Sequence, residues 1–525
     1  MIGKVDLKPS ESKQRVLNQP CDGTSSWGNK FAEKVRLKAD KERVMYISIL
    51  AWVAGVLGKA RLTPSVSREM QANGMLDVMI QLQPASNDDV AGDSLAMYLM
   101  DHAQKSQAGM LAALRQMKGV ERVQPYYISN TVAVRGTAKV VRWLAAQQGV
   151  EEISSNRPFQ NRMDVFNEKD ALMAQNVPWT GTSSHWSLEF INATGIPDSV
   201  RVRASKLIYA NADTGVEFTH PALQENYMGT REFGIDHNYA WWDANKVANA
   251  SKPNKACGVN SSTPCDDNNH GTHTMSTVVG KMGLGVSPTS KWIACKNMDM
   301  NLGSPETYLG CLQFFLAPTR IDGTEPMPER RPHVVGNSYG CPPEEGCSPT
   351  TFRYALQALR SAGILMIVSA GNDGSKGCSS VISPPATDPG SFNVAASRYK
   401  SFGRAGFSSM GPVSSRILAI DITAPGVNIT GAVRGGRYDQ YQGTSMAAPH
   451  VAGAALLIMA ACPHLLRQVD AITDLLRTSA TPNLSTMLCG GESKDATPNN
   501  EYGYGALNVA RAIATCHPIT KSTIP

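Results

Sequence analysis

Several features that would assign this chain to a familiar class are missing from its 525 residues. Its formal net charge of +6 is small for this length, and no dense basic stripe is present, which argues against a nucleic-acid-binding protein. The apolar run at residues 46–57 is far shorter than the roughly 20 residues that span a bilayer. Residues 170–520 contain no internal repeat, coiled coil or long low-complexity segment, and no acidic loop has convincing spacing for metal ligands. The sequence therefore predicts an ordinary globular protein.

Composition and cysteine content narrow the class further. Hydrophobic residues make up 42% and charged residues 18% of the chain, which suits two or three domains with a large core. Of the 11 cysteines, one is Cys21 and the others lie between Cys257 and Cys516. An even number of cysteines in one region favours up to five disulfides and an oxidising compartment. Buried free thiols in a cytosolic enzyme remain the alternative.

The N-terminal leader, residues 1–62, has the features of an export signal. Residues 46–57 have the length of a signal-peptide core, but residues 1–44 are polar, basic and too long for the usual region before it. Either Met45 is the true start, or a long cytosolic lead precedes a signal anchor; a buried core segment is the third reading. We expect a cleaved signal and secretion, because its removal also removes the unpaired Cys21. Five sequons give weak support for glycosylation, at Asn192, Asn249, Asn260, Asn428 and Asn483.

Residues 75–158 read as a small α+β domain. Alternating apolar residues predict a strand at 76–83, followed by a helix at 95–117 and an extended stretch at 120–134 broken near Pro125. A second helix at 138–148 and a strand at 150–154 complete the pattern. Strand, helix, strand, strand, helix, strand is the order of a ferredoxin-like sandwich.

Residues 170–520 alternate short apolar strands with helices. Strands are predicted at 207–211, 291–296, 333–338, 364–369 and 392–396, and one of the helices at 351–361. This alternation indicates an α/β fold, a mostly parallel sheet with helices on both faces. In such a fold, catalytic groups collect at the carboxyl edge of the sheet.

The most informative stretch of the chain is residues 443–450, Gly-Thr-Ser-Met-Ala-Ala-Pro-His. It is predicted to place Ser445 at an exposed turn that runs directly into an apolar helix at 451–461. A helix start offers unpaired N–H groups and the positive end of a dipole, where a negative oxygen can be held. Ser445 is therefore a candidate nucleophile, although an isolated serine before a helix is more often a simple cap.

A serine nucleophile needs a base and an orienting acid, and the chain contains candidates for both. His270 lies in Asn-His-Gly-Thr-His, before a helical run at 274–280, and Asp213 ends an apolar strand that begins at Leu207. Another buried strand ends at Asn372, whose side-chain amide could donate to an oxyanion. Their order along the chain is acid, base, amide donor and serine.

These four segments together resemble the subtilisin-like serine proteases, over roughly residues 170–515. The resemblance implies that Asp213 orients His270, that His270 is the general base, and that Ser445 is the nucleophile. Asn372 and the Ser445 N–H would form the oxyanion hole, and the second histidine of the motif, His273, would be structural. Substrate backbone would be bound by two short segments, Ser338, Tyr339 and Gly340, and Ser369, Ala370 and Gly371. Residues 292–299 and 311–319 look more like the bacillopeptidase F branch than subtilisin itself.

The same resemblance implies a secreted endopeptidase that acts on polypeptides, needs no cofactor and is made as a self-processing precursor. It leaves a structural calcium ion open. Residues 75–158 would be the inhibitory prodomain, and the catalytic domain would cover residues 170–520. A substrate-binding or peptide-binding module is the competing interpretation of residues 75–158. Outside the chain's own prodomain and its substrates, no partner and no stable membrane span are expected unless the leader remains as an anchor.

Other chemistries remain as alternatives. Residues 336–340, Gly-Asn-Ser-Tyr-Gly, fit the nucleophile elbow of esterases, but two prolines at 342 and 343 oppose the helix that an elbow requires. An aspartic protease would need a second Asp-Thr-Gly triplet or a dimer. His270 and His273 are three residues apart with no glutamate between them, unlike the helix motif of zinc proteases. A catalytically inactive fold that serves as a binding protein is the last alternative.

Overall fold

The computed structural model describes residues 60–72, 74–86, 90–160, 178–181, 183–247, 256–342, 346–348, 351–414 and 418–516. The apolar run at residues 46–57 and Cys21, on which the export prediction depends, lie outside the described residues. All of the described residues belong to one compact unit, Gly58–Pro525.

The N-terminal part of this unit has the predicted ferredoxin-like fold. Its five-stranded sheet has the order β1-β5-β2-β4-β3, in which the last four strands are antiparallel neighbours. Helix α2 packs on β3, and α3 packs on β2, β4 and β5. The elements are β1 (Arg61–Leu62), α1 (Pro64–Glu69), β2 (Met75–Leu82), α2 (Ser94–Gln116), β3 (Val120–Tyr126), β4 (Thr131–Thr137), α3 (Ala138–Ala145) and β5 (Val150–Ser155).

One boundary in this domain differs from the prediction. The chain turns at residues 127–130, not at Pro125, which lies inside β3 opposite Val132. Proline is tolerated there because β3 is the edge strand of the sheet, so its missing N–H leaves no neighbouring strand without a donor. The second helix, α3, also ends three residues early, at Ala145.

The larger part of the unit is the predicted α/β fold. After the two-residue strand β6 (Phe159–Gln160), the chain forms α4 (Trp186–Phe190), α5 (Asp198–Ala204), β7 (Ile208–Asp213), β8 (Thr230–Arg231), β9 (Gly234–Ile235), β10 (Trp241–Asp243), α6 (His270–Val279), β11 (Lys291–Lys296), β12 (Leu302–Gly303), α7 (Pro305–Leu316), β13 (Val334–Asn337), α8 (Arg353–Ser361), β14 (Leu365–Ser369), β15 (Phe392–Ser397), β16 (Ile422–Pro425), β17 (Ile429–Val433), β18 (Arg437–Tyr441), α9 (Thr444–Ala461), α10 (Val469–Thr478) and α11 (Val509–Cys516).

A seven-stranded sheet forms the centre of this part. Its order is β10-β11-β7-β13-β14-β15-β16, and every neighbouring pair is parallel. Because β7, β13 and β14 are adjacent, their carboxyl ends meet at one edge of the sheet. Asp213 ends β7, and Ser338 and Asn372 follow β13 and β14, as the strand-end rule predicts.

Helix α9 lies at the centre of this larger part. All of its 18 residues are buried, and it packs against β13, β14, β15 and β16. Its length and apolar composition would also suit a membrane span, but here protein surrounds it. Two helix starts differ from the prediction: α6 begins at His270 itself rather than at Thr274, and α9 begins at Thr444 rather than at Val451.

Five disulfides connect all ten cysteines of this region, as the even count predicted. The pairs are Cys257 with Cys265, Cys295 with Cys311, Cys341 with Cys347, Cys378 with Cys489, and Cys462 with Cys516. Two of them close the short loops that precede His270 and follow Gly340, so they tie down the chain on both sides of the candidate site.

Candidate active site

Asp213, the candidate acid, ends β7 and is 1% exposed. Its carboxylate accepts hydrogen bonds from the Thr214 N–H at 2.7 Å and from the Thr274 hydroxyl at 3.1 Å. His270 Nδ1 donates to the two carboxylate oxygens at 2.8 and 3.0 Å. An ionised carboxylate has no proton to donate and can only accept, so His270 Nδ1 carries the proton in this pair. In the neutral imidazole, Nε2 is then the nitrogen with the free electron pair, which is the arrangement a general base needs.

His270, the candidate base, is the first residue of α6 and is fully buried. The helix start lies close to the loop after β7, because the N–H of Gly271 donates to the Thr214 hydroxyl at 2.9 Å. A Cβ at Gly271 would collide with the Gly215 carbonyl, so only glycine permits this approach. The sequence pattern His-Gly therefore places the imidazole beside Asp213.

Ser445, the candidate nucleophile, is the second residue of α9 and is only 2% exposed. The prediction of an exposed serine at a turn before the helix is therefore wrong. The Ser445 hydroxyl donates to the Ser338 carbonyl, and the Ser338 hydroxyl donates to the Ser445 carbonyl, both at 3.3 Å. The Ser445 N–H lies in the first helical turn, where no backbone carbonyl of the helix can accept it.

The first turn of α9 has one fewer backbone hydrogen bond than an ordinary helix. Pro449 lies inside the helix and has no N–H to donate to the Ser445 carbonyl four residues earlier. The Ser338 hydroxyl takes that place. A segment that follows a neighbouring strand thus helps to fix the backbone of the candidate nucleophile.

Asn372, the candidate oxyanion donor, follows β14 and is oriented by Thr444. Its amide oxygen accepts from the Thr444 N–H at 3.0 Å and from the Thr444 hydroxyl at 2.9 Å. A backbone N–H can only donate, so this contact identifies the amide oxygen and directs the NH₂ group away from Thr444. Asn372 and Ser445 are therefore linked through a single intervening residue.

The two predicted substrate-binding segments follow adjacent strands. Ser338, Tyr339 and Gly340 follow β13, whereas Ser369 ends β14 and continues into Ala370 and Gly371. The Gly371 N–H donates to the Thr444 hydroxyl at 3.2 Å, which brings this segment to the start of α9. Tyr339 is buried and stacks on Tyr308 of α7 with ring centroids 4.0 Å apart.

His273 is placed as a structural residue. It is buried, its Nε2 donates to the Ile429 carbonyl at 2.9 Å, and its ring stacks on Tyr441 at 4.5 Å. Burial lowers its pKa to about 3, so it is neutral at physiological pH. This setting does not fit a pair of zinc-ligating histidines at 270 and 273.

Ser338 lacks the setting of an esterase nucleophile. No helix follows it directly, because the next described helix is α8 at Arg353. Its hydroxyl donates to a backbone carbonyl rather than to a histidine. Among the residues that the structure describes, no group of three or more histidine, cysteine, aspartate or glutamate side chains could hold a metal ion.

The sequence did not predict a role for Lys296, which lies next to Asp213 in the sheet. It pairs with Asp213 across β11 and β7, and both Lys296 and Asp267 are buried. The ammonium forms a short ion pair with Asp267 and donates to the Thr214 carbonyl at 2.7 Å and the Met298 carbonyl at 2.6 Å. The available signal was a lysine at the end of an otherwise apolar strand, residues 291–296.

Comparisons with known proteins agree with this geometry. The model of the subtilase family matches residues 206–505. Bacillopeptidase F of Bacillus subtilis (strain 168) is 32% identical over 438 residues, which is 78% of this chain and 28% of that protein. Subtilisin amylosacchariticus of Bacillus subtilis subsp. amylosacchariticus is 34% identical over 263 residues, covering 49% and 57%. Subtilisin of Bacillus pumilus is 33% identical over 312 residues, covering 59% and 91%.

The matched residues include Asp213, His270, Asn372 and Ser445, together with all seven strands of the central sheet. The chain spans less than two thirds of the first two relatives, so their full activities do not transfer with the match. The family model nevertheless covers more than half of the chain. This chain belongs to the subtilase family of serine peptidases.

Proposed function

We propose that this chain is a serine endopeptidase that hydrolyses polypeptides through Asp213, His270 and Ser445. The Ser445 oxygen attacks the scissile carbonyl carbon while His270 Nε2 takes the hydroxyl proton. His270 then gives this proton to the leaving amine as the carbon–nitrogen bond breaks. Water, with His270 again as base, releases the acyl group and restores the serine.

One observation carries the proposal most directly. The buried Asp213 carboxylate holds His270 Nδ1–H at 2.8 Å while Thr214 and Thr274 fix the carboxylate itself. This arrangement stabilises the imidazolium that forms when Ser445 loses its proton. Asn372, with its NH₂ group directed away from Thr444, and the Ser445 N–H are suited to hold the oxyanion.

The test compares two serines that lie side by side. Ser445→Ala should abolish casein hydrolysis, whereas Ser338→Ala should retain measurable hydrolysis because only a bond to the Ser445 carbonyl is lost. Normal hydrolysis by Ser445→Ala would contradict the proposal. Loss of activity only in Ser338→Ala would support the esterase-like alternative.

The N-terminal domain, residues 75–158, is proposed to be an inhibitory prodomain. The Tyr127 and Ile128 N–H groups donate to the side-chain oxygen of Gln313 on α7, at 2.7 and 3.3 Å. Arg122 forms a two-point ion pair with Glu306, at the start of the same helix. These contacts bind the sheet of the N-terminal domain to α7 of the larger part.

The end of the prodomain makes a backbone contact of the kind a substrate would make. Strand β6 pairs antiparallel with β12, with Gln160 opposite Leu302 and Phe159 opposite Gly303. Adding a strand to an exposed edge is a common way to bind an extended peptide. We propose that this pairing keeps the precursor inactive until the chain is cut by its own Ser445 between Gln160 and the start of the catalytic domain.

Secretion is proposed from the five disulfides, which suit an oxidising compartment. Three sequon asparagines, Asn192, Asn260 and Asn428, are exposed and are accessible positions for glycans. N-terminal sequencing of the secreted product tests this proposal and locates both cleavages. A product that retains residues 1–44 would contradict a cleaved signal.

A further inference from the structure

A buried line of polar side chains runs from the segment before α4 to the helix that carries Ser445. His185 precedes α4, Ser187 lies within it, and His450 lies in α9; all three are at most 4% exposed. The Ser187 Oγ is 2.7 Å from His185 Nδ1 and 2.7 Å from His450 Nε2. His450 Nδ1 is 2.8 Å from the carbonyl oxygen of Met446, the residue after Ser445.

The direction of the hydrogen bonds next to α9 follows from the end of this line. A carbonyl oxygen can only accept, so His450 Nδ1 must carry a proton. In a neutral imidazole, His450 Nε2 is then an acceptor, and the Ser187 hydroxyl must donate to it. His185 Nδ1 faces both the Ser187 oxygen at 2.7 Å and the Ser187 N–H at 3.3 Å.

The β17 end of the line is formed by the His185 ring. His185 Nε2 is 3.3 Å from the N–H of Thr430 on β17, and the ring also hydrogen-bonds the backbone of Asn428. The line therefore connects β17 to the first turn of α9, and its proton positions are fixed at His450 and Ser187.

Both imidazoles are suited to remain neutral in this line. Burial lowers the pKa of His450 to about 4. Burial, and then the neighbouring His450 ring, lower the pKa of His185 to about 3. The other titratable group that faces His185 is His273 on α6, which is itself neutral because burial lowers its pKa to about 3.

The line reaches α9 where the helix is short of backbone hydrogen bonds. Pro449 leaves the Ser445 carbonyl without a helical donor, and the next carbonyl, that of Met446, is the one that His450 holds. We propose that Ser187 and His450, with His185 behind them, are positioning residues that fix the first turn of α9 and thereby aim the Ser445 hydroxyl. This inference rests on the proposed role of Ser445 as the nucleophile.

The segment that supplies His185 and Ser187 is anchored close to α9. The His185 N–H donates to the Gly283 carbonyl at 2.8 Å, and the Trp186 indole donates to the Asn428 carbonyl at 3.1 Å. These contacts hold the segment against the loops beside α6 and β17. The orientation of the Ser445 hydroxyl therefore depends on a segment that is far from it in sequence.

The experiment compares Ser187→Ala with Ser290→Ala in the processed enzyme. Ser290 is an equally buried serine whose hydroxyl bonds Ser287 and the Ala204 carbonyl, neither of which belongs to α9. Ser187→Ala should lower kcat about tenfold with little change in KM, because a misdirected nucleophile slows the reaction more than it weakens binding. Ser290→Ala should change kcat less than about twofold even where it lowers Tm equally.

A second measurement does not depend on how Ser187→Ala folds. In the ¹⁵N-histidine-labelled Ser445→Ala protein at about pH 7, His450 should be neutral and protonated at Nδ1. A proton on His450 Nε2 would overturn the assigned hydrogen bond to the Met446 carbonyl. Equal kcat values for Ser187→Ala and Ser290→Ala would overturn the positioning role. If the triad itself were wrong, Ser445→Ala would remain active, which is a distinguishable result.

Discussion

The ion pair between Arg122 and Glu306 makes a quantitative prediction about inhibition by the prodomain. Arg122 contacts both carboxylate oxygens of Glu306, and the two side chains are 26% and 12% exposed. Truncating one partner of such a buried, hydrogen-bonded pair costs about 2 to 5 kcal/mol, largely because the other charge is left without its counter-ion.

The structure places the cost at the lower end of this range. In Arg122→Ala, Glu306 keeps the Asn156 amide as a donor at 2.7 Å and the Tyr126 hydroxyl at 3.4 Å. We therefore expect a loss of about 2 to 3 kcal/mol, which weakens inhibition about 30-fold to 150-fold.

The assay adds a fragment of residues 60–160, which contains the prodomain, to the processed enzyme and measures the inhibition constant with a peptide substrate. Circular dichroism checks that each variant is folded. Arg135→Ala is the matched control, because Arg135 is 41% exposed and both of its carboxylate partners, Glu121 and Asp77, lie within the prodomain. Its surface pair with Glu121, which is 57% exposed, is worth at most about 1 kcal/mol. A loss below about threefold for Arg122→Ala, or one no larger than for Arg135→Ala, would refute the reasoning.

Three further predictions concern the catalytic part. Asn372→Ala should lower kcat about 10²-fold to 10³-fold with KM nearly unchanged, a magnitude taken over from oxyanion-hole variants of subtilisin; an unchanged kcat in steady-state assays would remove Asn372 from the mechanism. Alkylation of the denatured, unreduced protein followed by mass spectrometry should find no free thiol among Cys257 to Cys516, and most of these cysteines reacting would contradict the disulfide assignment. Folding stability of the Ser445→Ala protein should fall on acidification below about pH 6.5, because the unfolded chain takes up protons on His185, His273, His333 and His450 while burial lowers the folded pKa values to about 3, or about 4 for His450. Each histidine lowers the free energy of unfolding by about 1.4 kcal/mol per pH unit until its folded pKa is reached. A Tm that stays constant from about pH 7 to 4 would contradict this prediction.

Local sequence patterns were sufficient for the fold class, and the resemblance to subtilisin-like proteases predicted the contact between Asp213 and His270. Strand-ending residues could be predicted to share one edge because the strands of such α/β folds run parallel. The starts of α6 and α9 could not be predicted in this way, because the first turns at His270 and Thr444 contact residues that are distant in sequence. The hydroxyls of Thr214 and Ser338 supply those contacts.

Long-range partners were also beyond local patterns. The ten cysteines could be predicted to pair, but not with which partners, since Cys378 and Cys489 are 111 residues apart in sequence. Lys296 gave only the weak signal of a charge at a strand end, and its partner Asp267 is 29 residues away. Pro125 was misread because its tolerance depends on β3 being an edge strand, which only the sheet order reveals.

The site of labelling by a fluorophosphonate tests the central claim most directly. Such probes react with an activated serine, and Ser445 and Ser338 are hydrogen-bonded to each other's backbone, so they offer the reagent two neighbouring hydroxyls. Peptide mapping of the labelled, processed enzyme should find the adduct on Ser445 and none on Ser338, with labelling lost in His270→Ala. An adduct on Ser338, or labelling of Ser445 that persists without His270, would contradict the account.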